Sequence, residues 1–114
     1  MGVVTVTLGI NDSIRLRQIY EDLTYAGMKD LPSLDTFLLN IMNQIDVNSK
    51  VESIVSLIAA KESDGTPCNP AVERILMRSE FLSIIRGLLN CRRVIGNGHV
   101  RLVDTGTRFQ FNLV

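Results

Sequence analysis

The chain has 114 residues, 46% of them hydrophobic, and its basic and acidic side chains balance to a formal net charge of zero. This length fits a single domain, residues 1–114, that buries a core without a metal or a disulfide. The balanced charge gives no overall field that attracts nucleic acid or a membrane surface. Because no apolar run is long enough to cross a bilayer and no secretory signal pattern is present, we expect a soluble, cytoplasmic protein without a membrane partner.

The first predicted elements are a strand and a helix. The segment "VVTVTLG" places Val4, Val6 and Leu8 on one face and alternates like a strand. The following "NDS" supplies residue types that favour helix N-caps, and Gly27 is typical of a helix C-terminus. Between them, the apolar residues at helical spacing are Leu16, Ile19, Tyr20 and Leu23.

Three further helical segments follow. The second helix begins at Pro32–Ser33, and Ser49 and Glu52 have the capping-box spacing that would begin the third. The segment "SDGTP" would end it. Asn69–Pro70 begins a fourth helical region. This region is either one long helix or two helices separated by a break near Ser79. The apolar stripes of these segments are Leu34, Phe37, Leu38, Ile41, Met42 and Ile45, then Val51, Ile54, Val55 and Ile58, then Val72, Ile75, Leu76, Leu82, Ile85 and Leu89.

The C-terminal stretch predicts β structure. Asn97–Gly98 favours a type I′ hairpin that would join "RRVIG" to "HVRLV", and "DTG" makes a second turn into "TRFQFNLV". The N-terminal strand is expected to join this sheet, because an isolated strand could not pair its backbone groups. The order of the predicted elements along the chain indicates an α+β fold with about four helices on a small, mostly antiparallel sheet. The N-terminal strand and a C-terminal β-meander make up this sheet.

The fourth helical region is apolar over an unusually wide arc. Phe81, Ile84 and Leu88 make its apolar stripe wider than the core of one small domain can easily bury. Excess exposed apolar surface often marks an interface. Residues 1–66 hold nine acidic and five basic side chains, whereas residues 67–114 hold seven arginines and three acids. Opposite charge of this kind can orient self-association. We therefore expect these three residues to form an interface in a homodimer or a larger assembly.

Five arginines surround the last helix and the predicted sheet: Arg86, Arg92, Arg93, Arg101 and Arg108. The helix and the following "NCRRVIGNGHVRLVDTGTRFQFNLV" resemble the recognition helix and wing of winged-helix DNA-binding domains. The resemblance implies phosphate contacts from Arg101 and Arg108 and places Arg92 and Arg93 at the helix end. However, "EFLSIIRGLLN" is apolar on nearly every side, whereas a recognition helix needs donors for base edges. Solvated or ion-paired arginines are the alternative interpretation.

The segment "VDTGT" resembles the active-site loop of aspartic proteases, which use two carboxylates that share a proton. The resemblance implies that Asp104 is catalytic in a homodimer. Only seven residues follow Thr107, and the preceding part of the chain is mostly helical, whereas that family is all β. A turn accounts for the same residues, because Asp favours the first position of a turn and Gly readily adopts a positive φ. We expect Asp104 to be a turn residue.

Other catalytic and cofactor patterns are weak. His99 is the only histidine, so any Ser-His or Cys-His pair and any histidine-based metal site would depend on it. Cys68 and Cys91 lack CxxC spacing, and we expect free thiols. The segment "VIGNGHV" lacks the spacing and the helix of a phosphate-binding loop. The sequence therefore predicts no metal, no cofactor, no small-molecule substrate and no enzymatic activity.

The preferred interpretation is a non-catalytic protein-interaction or assembly module, with RNA or DNA as a further candidate partner of the arginine-rich C-terminal third. A viral or phage assembly or packaging factor is one concrete version. The alternative is a winged-helix-like DNA-binding regulator, and a remote alternative is an aspartic-protease-like enzyme.

Overall fold

Five helices and three strands make up the part of the chain that the computed structural model describes, residues 4–58 and 69–114. The predicted α+β class is confirmed, since the helices pack on a small antiparallel sheet. The elements in chain order are β1 (Thr5–Thr7), α1 (Ile10–Tyr25), α2 (Leu34–Gln44), α3 (Val51–Ile58), α4 (Pro70–Leu76), α5 (Ser79–Ile95), β2 (Val100–Asp104) and β3 (Phe109–Leu113).

The sheet has the strand order β1-β3-β2, and both pairings are antiparallel. The N-terminal strand therefore joins the C-terminal hairpin, as the sequence predicted. Val6 and Leu102 both lie opposite Phe111, so this row crosses all three strands on one face. That face is covered, because Phe109 and Phe111 are completely buried. Side chains alternate along each strand, and the other face of the sheet carries mostly polar residues.

Helix α5 lies at the centre of the molecule. It contacts α1, α3 and α4 as well as β1 and β3, so its apolar residues are covered from several directions. Helix α2 packs against β2 at the other edge of the sheet. Together these contacts form one cluster of buried side chains that extends from the helices to the sheet. Its fully buried members include Leu16, Leu23, Leu38, Met42, Leu76, Phe81, Ile84, Ile85, Leu88, Phe109 and Phe111.

Local signals in the sequence begin two of the helices. The Ser33 side chain accepts a hydrogen bond from the Thr36 amide at the start of α2. The Asn69 side chain accepts one from the Ala71 amide, and Pro70 occupies the first turn of α4. The region from Asn69 onward forms two helices rather than one, because α4 ends at Leu76 and α5 begins at Ser79.

The strand predicted for "RRVIG" is wrong. Helix α5 continues through Ile95, because this side chain and Leu88 are buried on the same helical face. Gly96 ends the helix with a φ of 87°. Asn97–Gly98 therefore connects a helix to a strand instead of two strands. The predicted turn at "DTG" is confirmed, since it joins β2 to β3.

Two predicted caps also differ from the structure. Helix α1 begins at Ile10 with Gly9 as its N-cap, so "NDS" lies inside its first turn. The Ser49 hydroxyl accepts a hydrogen bond from the Asp46 amide, and it shapes the loop before α3 rather than closing a capping box with Glu52. The segment "SDGTP" and Cys68 lie outside the described residues. Among the described helices, none has the length and apolar character that a membrane crossing requires.

Candidate functional site

The three residues predicted to form an interface lie in the core. Phe81, Ile84 and Leu88 are each 0% exposed, so the expectation that they form an exposed interface is wrong. The wide apolar arc of α5 has a different cause. Helices and strands pack around it on several sides, and each of them covers a part of the arc. The stripe is wide because the helix is central.

Arg92 is also buried, with 2% of its surface exposed. Its guanidinium donates three hydrogen bonds to backbone carbonyls, from Nη2 to Met42 at 2.9 Å, from Nε to Ile45 at 3.0 Å and from Nη1 to Gly96 at 2.9 Å. The first two carbonyls belong to the end of α2 and the third follows α5. Helix ends leave carbonyls without partners inside the helix, and Arg92 satisfies these groups at two helix ends at once.

The environment of Arg92 fits a structural role. Burial lowers the pKa of its guanidinium from the ordinary value, and the negative charge of Asp46 partly offsets this effect. A group that is buried and committed to three carbonyls cannot reach a phosphate on the surface. The prediction that Arg92 contacts nucleic acid is therefore wrong.

The other four arginines are exposed, but they do not form one surface. Arg86 and Arg93 lie seven positions apart on the exposed side of α5, where Arg93 donates to the Asn90 side chain at 3.3 Å. Arg101 lies on β2, and Arg108 lies in the turn before β3. Whether any of the four binds nucleic acid stays a prediction.

The outer face of the sheet is an open, polar surface that contains Arg101 and Arg108. The alternation and the register place Arg101 opposite Asn112, and Arg108 lies four positions from Asn112 along β3. The two arginine Cα atoms are therefore about 14 Å apart. Among the described residues on this face, none is acidic and none is aromatic. They are Thr5, Thr7, Arg101, Val103, Arg108, Gln110 and Asn112.

Asp104 has the contacts of a turn residue. Its carboxylate accepts hydrogen bonds from both terminal nitrogens of Arg17, at 2.6 and 3.2 Å, and from the Gly106 amide at 2.8 Å. The Arg17 guanidinium lies 4.4 Å from the centre of the Phe109 ring, which holds it over the hairpin. The hydrogen bonds from Arg17 and Gly106 lower the pKa of Asp104. A carboxylate held ionised in this way is unsuited to the shared proton of a protease dyad.

His99 and Cys91 face different surroundings. His99 is exposed before β2, whereas Cys91 is buried in α5. Burial, together with the charge of Asp12, raises the pKa of the Cys91 thiol to about 11. The thiolate, which is the nucleophilic form, is therefore scarce at neutral pH. Within residues 4–58 and 69–114, no three side chains of the types that bind metals come together as a possible site.

Exposed apolar side chains surround the junction of β1 and α1. On α1, Ile10 and Ile14 are 42% and 58% exposed and line a shallow groove of about 260 Å³ beside the β2–β3 turn. On α5, Val94 is 69% exposed and lines a second groove of about 310 Å³ along β1. Neither groove was predicted from the sequence. The spacing of Ile10 and Ile14 was a usable signal, because it places them away from the buried stripe of α1.

Comparison of the chain with protein-family models, with curated proteins and with solved structures finds no match in any of the three.

Proposed function

We propose that this protein is a non-catalytic assembly module that associates with itself. The observation that supports the proposal is the exposed apolar surface on both sides of the β1–α1 junction, where Ile10, Ile14 and Val94 line two grooves. Removing such side chains from water is favourable by roughly 25 cal/mol for each Å² of apolar surface. Self-association covers this surface without a second kind of protein.

The oligomeric state tests this proposal. Sedimentation equilibrium over a wide range of protein concentrations is expected to show a reversible dimer or larger oligomer. Ile14→Asp and Val94→Glu should each weaken association if their groove is part of the contact, whereas Tyr25→Glu serves as a control. Tyr25 is 89% exposed at the far end of α1 and lines neither groove. A chain that remains monomeric at every concentration contradicts the proposal.

Nucleic acid is a second candidate partner, and the open sheet face is the surface that favours it. This face presents Arg101 and Arg108, and none of the described residues on the same face is acidic. The two phenylalanines of β3, Phe109 and Phe111, are buried on the opposite, covered face of the sheet. Base stacking on an aromatic ring is therefore not offered, and we infer that contacts to phosphates dominate without sequence preference.

Salt-dependent binding tests this second candidate. Two phosphate contacts on single-stranded RNA or DNA give a slope of about −1.4 in a plot of log affinity against log salt concentration. Arg101→Ala should make this slope less steep by about 0.7, because one phosphate contact is lost. Arg86→Ala is the matched control, since Arg86 is an exposed arginine on α5 rather than on the sheet. Equal losses in both variants would assign the binding to another surface, and no binding at low salt would remove this candidate.

A further inference from the structure

We propose that the contact between two copies is made by the free edge of β1, with β1 of one copy pairing antiparallel to β1 of the other. The two-fold axis passes between the two Val6 residues. The result is one continuous six-stranded sheet with the strand order β2-β3-β1-β1-β3-β2. This inference rests on the proposed self-association and adds the surface and the register.

The hydrogen bonds of the sheet show which backbone groups of β1 face away from β3. The Leu8 amide donates to the Phe109 carbonyl at 2.9 Å, and Val6 lies opposite Phe111. In an antiparallel pair, alternate residues direct both of their backbone groups to the same neighbour. Val6 and Leu8 therefore face β3, and the amide and carbonyl groups of Thr5 and Thr7 face outward. Both threonines are exposed, and among the described residues no backbone or side-chain group hydrogen-bonds to their amides.

The opposite edge of the sheet is protected, whereas within residues 4–58 and 69–114 no group hydrogen-bonds to the outward amides of β1. On β2, the outward Val100 amide already donates to the Asn43 side chain at 3.0 Å, and α2 packs along the strand. Arg101 and Asp104 add charges to the same strand. Natural proteins block exposed strand edges with charged residues, proline or covering elements. The β1 strand contains only Thr, Val and Thr, so none of these side chains opposes pairing.

A second copy is the occupant that fits this edge. A two-fold contact brings each patch against itself, so a charged patch would repel its counterpart. The β1 edge is uncharged and offers two donors and two acceptors in alternation. With the axis at Val6, Thr5 of one copy lies opposite Thr7 of the second copy. Four backbone hydrogen bonds then satisfy every outward group of the two strands.

The surface beside β1 adds apolar contact to this pairing. Gly87, Asn90, Cys91 and Val94 form one stripe along α5, and together with β1 they line the groove of about 310 Å³. These four residues are uncharged, and the lining of the groove also includes the acidic side chain of Asp12 from α1. A strand that pairs with the β1 edge lies over this groove and covers Val94. A three-residue strand pair alone is too small for a stable interface, so the α5 stripe supplies a necessary share of the buried area.

Thr5→Pro tests the pairing with little risk to the fold. It removes an outward amide, and proline is tolerated at the first residue of an edge strand. Each dimer loses two hydrogen bonds, which corresponds to a dissociation constant about 30-fold higher. Thr5→Val is the matched control, because it retains the amide and should leave the dissociation constant nearly unchanged. Circular dichroism of the variants checks that the fold persists, and if Thr5→Pro fails this check, Val94→Glu replaces it.

Disulfide cross-linking tests the register in a chain that carries Cys68→Ser and Cys91→Ala. The axis places the two Val6 Cα atoms about 4.5 Å apart, within the range of a disulfide. Val6→Cys should therefore give a covalent dimer on mild oxidation. Thr5→Cys should not, since the two Thr5 Cα atoms are about 8 Å apart in this register.

The outcomes separate the two proposals. A monomer at every concentration overturns both. If neither Thr5→Pro nor Val94→Glu weakens the oligomer and Val6→Cys does not cross-link it, the β1 pairing is overturned. Self-association then takes place through another surface. Cross-linking at Thr5 in preference to Val6 shows a different register and overturns the axis at Val6.

Discussion

Replacing Arg92 tests whether this buried guanidinium is a structural connection between helix ends. In Arg92→Met the long apolar side chain fills much of the same volume, so the cavity is small. The carbonyls of Met42, Ile45 and Gly96 remain and lose the guanidinium donors, and the Met42 carbonyl keeps only the long hydrogen bond of 3.4 Å from the Ile45 amide. Because these acceptors stay in place, the variant measures the cost of unsatisfied polar groups rather than the loss of packing.

The magnitude follows from the three hydrogen bonds. Each bond from a charged donor contributes roughly 1.5–3 kcal/mol, and part of this is regained because the methionine side chain requires no desolvation of a charge. We expect the free energy of unfolding to fall by about 3–5 kcal/mol, a large share of the roughly 5–15 kcal/mol typical of a domain. Arg92→Lys keeps the charge but can reach fewer carbonyls, so its loss should be smaller than that of Arg92→Met.

Urea unfolding followed by far-UV circular dichroism measures these differences, at one protein concentration because association stabilises the folded chain. Arg93→Met is the matched control, since Arg93 is exposed and hydrogen-bonds only to Asn90 among the described residues. It should change stability by less than about 0.5 kcal/mol. If Arg92→Met and Arg93→Met cost the same, the assignment of Arg92 as a structural residue is refuted.

Two further predictions concern the ends of secondary structure elements. Gly96→Ala should destabilise the protein by about 1–3 kcal/mol in the same urea assay, because φ of 87° with ψ of −176° is a conformation that only glycine adopts easily. Gly9→Ala, at φ of −54°, is the control without backbone strain and should cost less, since it loses only the preference for glycine over alanine at an N-cap. The Arg17–Asp104 pair should contribute about 0.5–1 kcal/mol in a double-mutant cycle of Arg17→Met and Asp104→Asn. Since the folded-state pKa of Asp104 is lowered, this contribution should be present at neutral pH and lost as the pH falls below about 3.9, and a coupling that persists in acid would contradict the ion pair.

Sequence patterns predicted the elements whose signals are local. The alternation in β1 and β3, the caps at Ser33 and Asn69, and the turn at "DTG" all depend on residues within a few positions of each other. The end of α5 was predicted wrongly because Asn97–Gly98 is a strong hairpin signal on its own. Its local preference competes with the burial of Ile95 by distant elements, and this tertiary contact extends the helix.

The candidate sites were harder to predict, because a wide apolar stripe has the same appearance whether a helix is central or forms an interface. Phe81, Ile84 and Leu88 could be assigned to the core only after the positions of the other helices were known. Arg92 did carry a usable signal. It lies on the same helical face as Leu88 and Ile95, so an arginine at this position had to be buried or to interrupt the apolar stripe. The edge of β1 had no signal, since strand order is a property of the whole sheet.

The proposed β1 pairing and the proposed nucleic-acid surface are physically coupled. A continuous six-stranded sheet places two copies of the open face side by side, so one dimer presents two copies each of Arg101 and Arg108. Four phosphate contacts would give a salt slope of about −2.8 instead of about −1.4 for a monomer. Thr5→Pro replaces neither arginine. It should nevertheless weaken the affinity for nucleic acid and make the salt slope less steep, because it dissociates the dimer and separates the two open faces. A slope that stays the same in this variant would show that each copy binds nucleic acid alone, whatever contact joins the copies.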